Sequence, residues 1–145
     1  MAKNIPGHWQ KLFDGCLHDP FTVLGLHPQD GKTQLRAWLP HARRTVLQLA
    51  AGEDAEMERY SHGLFVLDVT ELPLEEHYSL RWWNDAGEEH TVCDPYCFAP
   101  QLRDFDLHLF GEGMHWHIYR FLGANPRCIN CIDGTLFATW APNAE

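Results

Sequence analysis

The sequence has few basic residues, and those it has are not clustered. Lysine and arginine total 11 against 20 aspartates and glutamates, which gives the 145-residue chain a net charge of −9. The longest basic run is the pair Arg43 and Arg44. Because nucleic acids and anionic membranes are bound by concentrated positive charge, we expect neither of them as a partner.

Long apolar runs are also absent. No stretch approaches the ~18 apolar residues that a membrane-spanning helix needs, and the first eight residues lack the apolar segment of an export signal. An odd number of cysteines argues against a disulfide framework and fits a reducing compartment. We therefore expect a cytoplasmic protein with reduced cysteines, which are Cys16, Cys93, Cys97, Cys128 and Cys131.

What the sequence does contain is one segment that occurs twice. Residues 33–42, Thr-Gln-Leu-Arg-Ala-Trp-Leu-Pro-His-Ala, return as residues 135–144, Thr-Leu-Phe-Ala-Thr-Trp-Ala-Pro-Asn-Ala. A further strand-like stretch, residues 45–49, follows the first copy, whereas the sequence ends one residue after the second. A lone edge strand cannot bury its apolar face. We interpret the second copy as the opening of a module whose remainder is missing.

Between residues 33 and 83 the sequence indicates β-structure. Short stretches in which apolar and polar residues alternate are separated by turn residues, roughly every 10 residues, as is typical of an antiparallel β-sandwich. Near the start, Trp9, Leu12, Phe13 and Leu17 have helical spacing instead. We predict a mainly β, immunoglobulin-like antiparallel β-sandwich with a short N-terminal helix and a C-terminal helical connector.

The C-terminal third has a different pattern. Residues 105–109 and 115–122 have helical spacing, with Trp116, Tyr119 and Leu122 three residues apart, and residues 125–134 are expected to form a loop. The predicted domains are a β-sandwich module over residues 1–104, a helical connector over 105–126, and the truncated start of a second β-sandwich over 127–145.

Several short phrases occur in order along the chain, spread from residue 19 to residue 144. They are residues 19–21 (Asp-Pro-Phe), 24–27 (Leu-Gly-Leu-His), 94–98 (Asp-Pro-Tyr-Cys-Phe), 106–113 (Asp-Leu-His-Leu-Phe-Gly-Glu-Gly), His115, Tyr119, 122–124 (Leu-Gly-Ala) and 137–144 (Phe-Ala-Thr-Trp-Ala-Pro-Asn-Ala). Taken together, these phrases resemble the N-terminal region of bacterial glycogen branching enzymes, the 1,4-α-glucan branching enzymes of the glycoside hydrolase family 13 type.

The resemblance implies an architecture and a role. Residues from about 21 to 100 are similar to the family's first N-terminal β-sandwich, and the last segment to the first strand of the carbohydrate-binding module that follows it. The family's catalytic (β/α)8 barrel, which carries an aspartate nucleophile and a glutamate acid/base, has no counterpart in the sequence. No catalytic residue is therefore carried over, and we expect no branching activity from this chain alone.

Two groups of potential metal ligands have alternative interpretations. Cys93 and Cys97, with Cys128 and Cys131, could form a four-cysteine zinc site, but the first pair has an unusual spacing and we favour incidental cysteines. A second group, Glu112, His115 and His117, does not converge on one ion if the segment is helical, because positions i and i+2 point in different directions. We predict no metal and no other cofactor.

The best candidate for sugar binding is Trp83, with Arg81 beside it. Adjacent residues of a strand face opposite sides, so if Trp82 points to the core then Trp83 and Arg81 point away from it. An indole ring suits stacking on the apolar face of a glucose ring, and a guanidinium donates to hydroxyls. The alternative is that the connector or a neighbouring domain covers Trp83.

The predicted function is that of a non-catalytic accessory module that positions glucan or the catalytic domain of a glycogen branching enzyme. The expected partners are α-glucan, such as glycogen or maltooligosaccharide, bound weakly, and the downstream domains of the same enzyme. Two alternatives stay open at this point. One is a glucan-binding domain that works alone, and the other is a protein–protein docking element that uses the connector and the unpaired strand at residues 135–141.

Overall fold

The computed structural model describes residues 6–49, 54–74, 77–99, 101–129 and 131–141. The chain divides into two compact units, with the boundary between Cys97 and Phe98. Among the helices in these residues, none has the length and apolar character that crossing a bilayer requires.

The first unit begins with a helix and continues mostly as strands. The helix is α1 (Gly7–Phe13), and short 3-10 turns lie at Pro20–Thr22 and Pro95–Cys97. The strands are β1 (Gly25–Gln29), β2 (Lys32–Trp38), β3 (Arg44–Gln48), β4 (Ala55–Glu56), β5 (Glu58–Ser61), β6 (Leu64–Asp68), β7 (Ser79–Trp83) and β8 (Glu89–Cys93).

These strands form two antiparallel sheets, in the orders β1-β2-β6-β5 and β4-β3-β7-β8. The core contains Leu35 and Phe65 from the first sheet and Leu47 and Leu80 from the second, each at most 2% exposed. The alternation read from the sequence places these residues inward, because side chains of a strand point alternately to its two faces. The predicted mainly β, antiparallel sandwich is confirmed.

A second cluster lies on the other face of the first sheet. Trp9 and Leu12, three residues apart on α1, pack with Val23, Leu24 and the β6 residue Leu64. The helical spacing noted in the sequence therefore serves to cover this face of the sheet. A sheet with apolar contacts on both faces explains why β6 begins with two buried residues in succession.

Two strands of this unit were not predicted. The strand β1 contains Pro28, which cannot donate to a ladder and is tolerated because β1 lies at a sheet edge. The strand β8 is mostly exposed and polar, and it is also an edge strand. Edge strands with one solvated side have weak alternation, so the sequence pattern does not reveal them.

The second unit contains helix α2 (Asp104–Gly111), a 3-10 turn at Ile118–Arg120, and strands β9 (Gly123–Ile129) and β10 (Ile132–Ala138), which form an antiparallel hairpin. The prediction of a loop over residues 125–134 was therefore wrong. Pro126 and the polar residues beside it lack the apolar alternation of a strand, so the sequence pattern did not predict β9. The helix predicted at 115–122 is reduced to the 3-10 turn, whereas the division into domains at 104 and 126 remains a prediction.

The second unit repeats the opening of the first, 98 residues further along the chain. Each opening is a short helix, a 3-10 turn and a hairpin. A glycine with positive φ follows each helix, and another begins each hairpin, as only glycine adopts this conformation without strain. Their φ angles are +69° for Gly15 and +71° for Gly113, then +88° for Gly25 and +86° for Gly123.

Backbone hydrogen bonds repeat in the same way. In the first 3-10 turn the Val23 N–H donates to the Pro20 carbonyl over 3.0 Å, and in the second the Phe121 N–H donates to the Ile118 carbonyl over 2.9 Å. The described part of the sequence repeat, residues 33–39 and 135–141, is therefore the last part of a longer structural repeat. In the first unit β2 pairs with β1 and β6, whereas within the described residues β10 pairs with β9 alone.

Two glycines with the same backbone conformation allow a matched test of packing. Gly63 and Gly31 both have φ +79°, but a Cβ on Gly63 would lie 2.4 Å from the Pro40 Cα, whereas a Cβ on Gly31 has nothing within 4 Å. We expect Gly31→Ala to lower the free energy of unfolding by about 1–2 kcal/mol through backbone strain alone. Gly63→Ala should cost a further 1–3 kcal/mol or so, because Pro40 must move.

The measurement is urea unfolding followed by far-UV circular dichroism. Equal losses in the two variants would contradict the close approach of Gly63 to Pro40.

Candidate carbohydrate-binding site

Trp83 and Arg81 lie on the same face of β7. Leu80 is buried in the core and Trp82 packs against it, so Arg81 and Trp83 project from the opposite face. Trp82 is further held by His90, whose ring stacks on it with a centroid distance of 4.3 Å. Trp83 is half-buried.

Arg81 is held by two carboxylates. Its Nη1 lies 3.3 Å from the Asp54 carboxylate, and its Nε lies 3.8 Å from the Glu89 carboxylate. These ion pairs link β7 to the segment before β4 and to β8. The guanidinium predicted to face a sugar is therefore engaged by acidic neighbours.

The guanidinium that lies over Trp83 belongs to Arg44 instead. Arg44 and Trp83 are directly opposite in the pairing of β3 with β7, and the Arg44 guanidinium carbon lies 5.0 Å from the indole centroid. Glu56 accepts hydrogen bonds from Arg44 Nε over 3.0 Å and from Nη2 over 3.3 Å. This contact raises the pKa of Arg44 and lowers the pKa of Glu56.

A cavity of about 480 Å³ lies at the C-terminal end of β7, beside Trp83. Its volume is within the range of about 300–1,000 Å³ that is usual for small-ligand sites. Residues of both sheets line it, with Phe65 and Met57 supplying apolar surface and Arg43, Arg44, Arg59, Glu56, Trp83 and Asp85 among the rest.

The turn after β7 closes one side of the cavity and is fixed by hydrogen bonds. Asn84 Oδ1 accepts from the Glu88 N–H over 2.9 Å, and the Gly87 N–H donates to the Asn84 carbonyl over 3.1 Å. An aromatic ring beside fixed polar groups can bind a saccharide by stacking and hydrogen bonding. Sequence reasoning proposed Trp83 and Arg81 and did not point to Arg44, Glu56 or Arg59, whose position at the same cavity depends on strand register.

The four cysteines considered as zinc ligands are free thiols. Cys93 and Cys97 lie with sulfurs 3.9 Å apart, and Cys97 Sγ lies 3.8 Å from His77 Nδ1. Burial and the neighbouring Cys93 raise the pKa of the Cys97 thiol to about 11, so this thiol stays protonated at neutral pH. Cys128 and Cys131 are exposed free thiols of the second unit.

Glu112, His115 and His117, the second group of potential ligands, each contact a different residue. His115 Nε2 lies 2.9 Å from the Asp106 carboxylate, which lowers the pKa of Asp106, and Glu112 lies 3.5 Å from His108. His117 instead places its ring 6.0 Å from that of Tyr119. Across the residues that the structure describes, no three histidine, cysteine or acidic side chains are arranged to hold a metal ion.

A family model and individual curated proteins that match this chain point to the same family. A family model described as the N-terminal domain of alpha-1,4-glucan branching enzyme GlgB matches residues 6–96. The 1,4-alpha-glucan branching enzyme GlgB of Methylococcus capsulatus is 46% identical over 138 residues, which are 94% of this chain and 18% of that protein. The GlgB of Nitrosococcus oceani is 45% identical over an alignment that covers 100% of this chain and 19% of that protein.

A more distant relative has similar coverage. The GlgB of Mycobacterium tuberculosis is 38% identical over 97% of this chain and 19% of its own length. The chain thus spans about a fifth of the length of the curated relatives it matches. The match over residues 6–96 includes both sheets and Trp83. Because it extends over more than half of the sequence, the chain belongs to the family of GlgB N-terminal domains.

Proposed function

We propose that this chain is a non-catalytic accessory module of a glycogen branching enzyme and that it holds α-glucan for the catalytic part of that enzyme. The full-length enzyme would transfer α-1,4-glucan segments to α-1,6 branch points. The observation that carries the proposal is the cavity lined by Trp83 and Arg44, in a chain whose family processes α-glucans. The natural partners are then glycogen or maltooligosaccharides and the rest of the enzyme, in the cytoplasm.

Trp83 supplies the apolar surface in this proposal. Glucose presents C–H groups on the faces of its ring, and these pack on indole, which has a large apolar area. Arg44 keeps Trp83 in place because Glu56 fixes its guanidinium. Arg81 extends the same surface and holds two carboxylates, whose oxygens can accept hydrogen bonds from sugar hydroxyls.

The affinity should be modest. A single aromatic platform and a few exposed polar groups support millimolar to micromolar binding, about 4–8 kcal/mol. Many glucan chains end on the surface of one glycogen particle, so weak contact at each chain is multiplied when the module is tethered to an enzyme that also binds glucan. The module would then raise the local concentration of glucan near the catalytic part.

Binding tests this function directly. We expect maltoheptaose to bind the purified chain saturably in isothermal titration calorimetry, and Trp83→Ala to weaken binding at least tenfold, or about 1.4 kcal/mol. Trp116→Ala is the matched control, since Trp116 is 88% exposed in the second unit, and it should bind as the wild type does. Equal binding by the Trp83→Ala variant would refute the site, and no binding by the wild type would refute the function.

Catalysis is tested separately. The chain corresponds to only 18–19% of its relatives, and retaining glycosyl transfer needs two carboxyl groups held about 5 Å apart on a rigid frame. Incubation with amylose should therefore leave the iodine absorption spectrum unchanged and create no α-1,6 linkages. A shifted spectrum that survives repurification of the chain would overturn the non-catalytic assignment.

We also propose that the second unit is the opening of a second β-sandwich. Leu35 of β2 is fully buried against the opposite sheet, whereas Phe137, 102 residues later on β10, is 76% exposed. The repeated helix, glycines and hairpin support the same proposal, with β9 and β10 as its first strands. A following segment that supplies the equivalents of β3 to β7 would cover Phe137.

Hydrogen exchange can test this half-module. In β2, which pairs on both edges, we expect protected amides along the whole strand in two-dimensional NMR. In β10, only the alternate amides that point toward β9 should be protected, because the others lack a partner strand. Uniform protection of β10 at all protein concentrations would contradict the proposal, whereas protection that grows with concentration would favour the docking alternative.

A further inference from the structure

The cavity beside Trp83 contains more positive charge than a neutral sugar requires. Arg43, Arg44 and Arg59 all line it, in a chain with only 11 basic residues and a net charge of −9. Arg44 is neutralised by Glu56, which lines the same cavity. The other two arginines are on different sheets, with Arg43 next to the start of β3 and Arg59 in β5.

Neither Arg43 nor Arg59 has an ion-pair partner within the described residues. The side chains of both are exposed, and Arg43 is bound to β7 through its backbone, its N–H donating to the Trp83 carbonyl over 2.8 Å. One acidic side chain of the cavity, Asp85, remains to offset them. Two cations against one carboxylate leave a local positive excess that a bound anion would neutralise.

We propose that this cavity binds a glucosyl unit that carries a phosphate monoester, with the sugar on Trp83 and the phosphate between Arg43 and Arg59. The sugar half rests on the proposed function, and the phosphate half rests on the two arginines. A guanidinium forms paired hydrogen bonds with phosphate oxygens. A phosphate monoester has three terminal oxygens and close to two negative charges, enough to pair with both guanidinium groups.

Two kinds of ligand carry a glucosyl unit with a phosphate monoester. One is an α-glucan with a phosphorylated glucose residue, and the other is a free sugar phosphate. A phosphorylated glucan would be retained at the module more strongly than a neutral one, and a free sugar phosphate would compete with glucan for Trp83. Both use the same arginines, and Asp85 accepts a sugar hydroxyl in either case.

Calorimetry on the full chain distinguishes these cases. The ligands are maltoheptaose, maltoheptaose phosphorylated at one 6-hydroxyl, glucose 6-phosphate and inorganic phosphate. We expect the phosphorylated oligosaccharide to bind at least tenfold more tightly than maltoheptaose at low salt, with the difference shrinking as salt increases. Equal affinities for these two oligosaccharides would overturn the proposal. Glucose 6-phosphate binding as tightly as the phosphorylated oligosaccharide identifies the free sugar phosphate as the source, and weaker binding identifies the glucan.

Two variants and a control assign the effect to the arginines. Arg43→Gln and Arg59→Gln should each reduce the phosphate preference several-fold, and the double variant should reduce the ratio to about one. Lys11→Gln removes one positive charge from helix α1, outside the cavity, and should keep the full preference. A preference that survives in the double variant would refute the assignment.

The two proposals can fail separately. If maltoheptaose binds but phosphate adds nothing, the glucan site stands and the phosphate site falls. If phosphorylated ligands bind through the arginines while maltoheptaose does not bind, the neutral-glucan function falls and the anion site stands.

Discussion

A buried hydrogen bond between Tyr78 and Asp94 connects the parts of the first unit. The Tyr78 hydroxyl donates to Asp94 Oδ2 over 2.7 Å, and the other carboxylate oxygen accepts from the Tyr96 N–H over 3.1 Å. Asp94 is 2% exposed, and this burial raises its pKa, as it also raises the pKa of Tyr78. A buried carboxylate without these donors would cost several kcal/mol, so the chain around Asp94 has little freedom to rearrange.

The same residue brings the two sheets together. Asp94 follows β8 of one sheet, and the 3-10 turn that it begins places Tyr96 against β1 of the other sheet, where a Cβ on Gly25 would lie 3.1 Å from the Tyr96 carbonyl. Glycine adopts φ +88° without strain, and any other residue would also bring its Cβ into tight contact with Tyr96. The sandwich is thus closed at this end by one carboxylate and one glycine, both of which belong to phrases that resemble the family.

The closed end also fixes the start of the strand that carries Trp83. Tyr78 precedes β7 and Trp83 ends it, so one strand of five residues, roughly 17 Å long, connects the anchor to the cavity. Trp82 stacks on His90, and Arg81 binds Asp54 and Glu89. Trp83 therefore lies on an element that is fixed at its start and along its length, which is the support that a preorganised binding site needs.

Alternation predicted β2, β3, β6 and β7, the strands that supply Leu35, Leu47, Phe65 and Leu80 to the core. It also predicted the face of β7 that carries Trp83, since this depends on neighbouring residues alone. The residues that share the cavity with Trp83 could not be predicted, because Arg44 and Arg59 reach it through the pairing registers of two different sheets. The edge strands β1, β8 and β9 were not predicted from the sequence. Proline and polar residues are tolerated where one side of a strand is open, and they interrupt the apolar alternation.

The structural repeat shows which features of the fold are local. The second unit has the helix, the two positive-φ glycines and the hairpin of the first, although within the described residues β10 has no counterpart of β6 beside it. These features therefore depend on short-range backbone hydrogen bonds and turn residues. What differs is burial: Leu35 is completely buried and Phe137 is 76% exposed. Covering a side chain of this kind is worth about 2–3 kcal/mol, so long-range strand pairing, rather than local geometry, makes the first unit a sandwich.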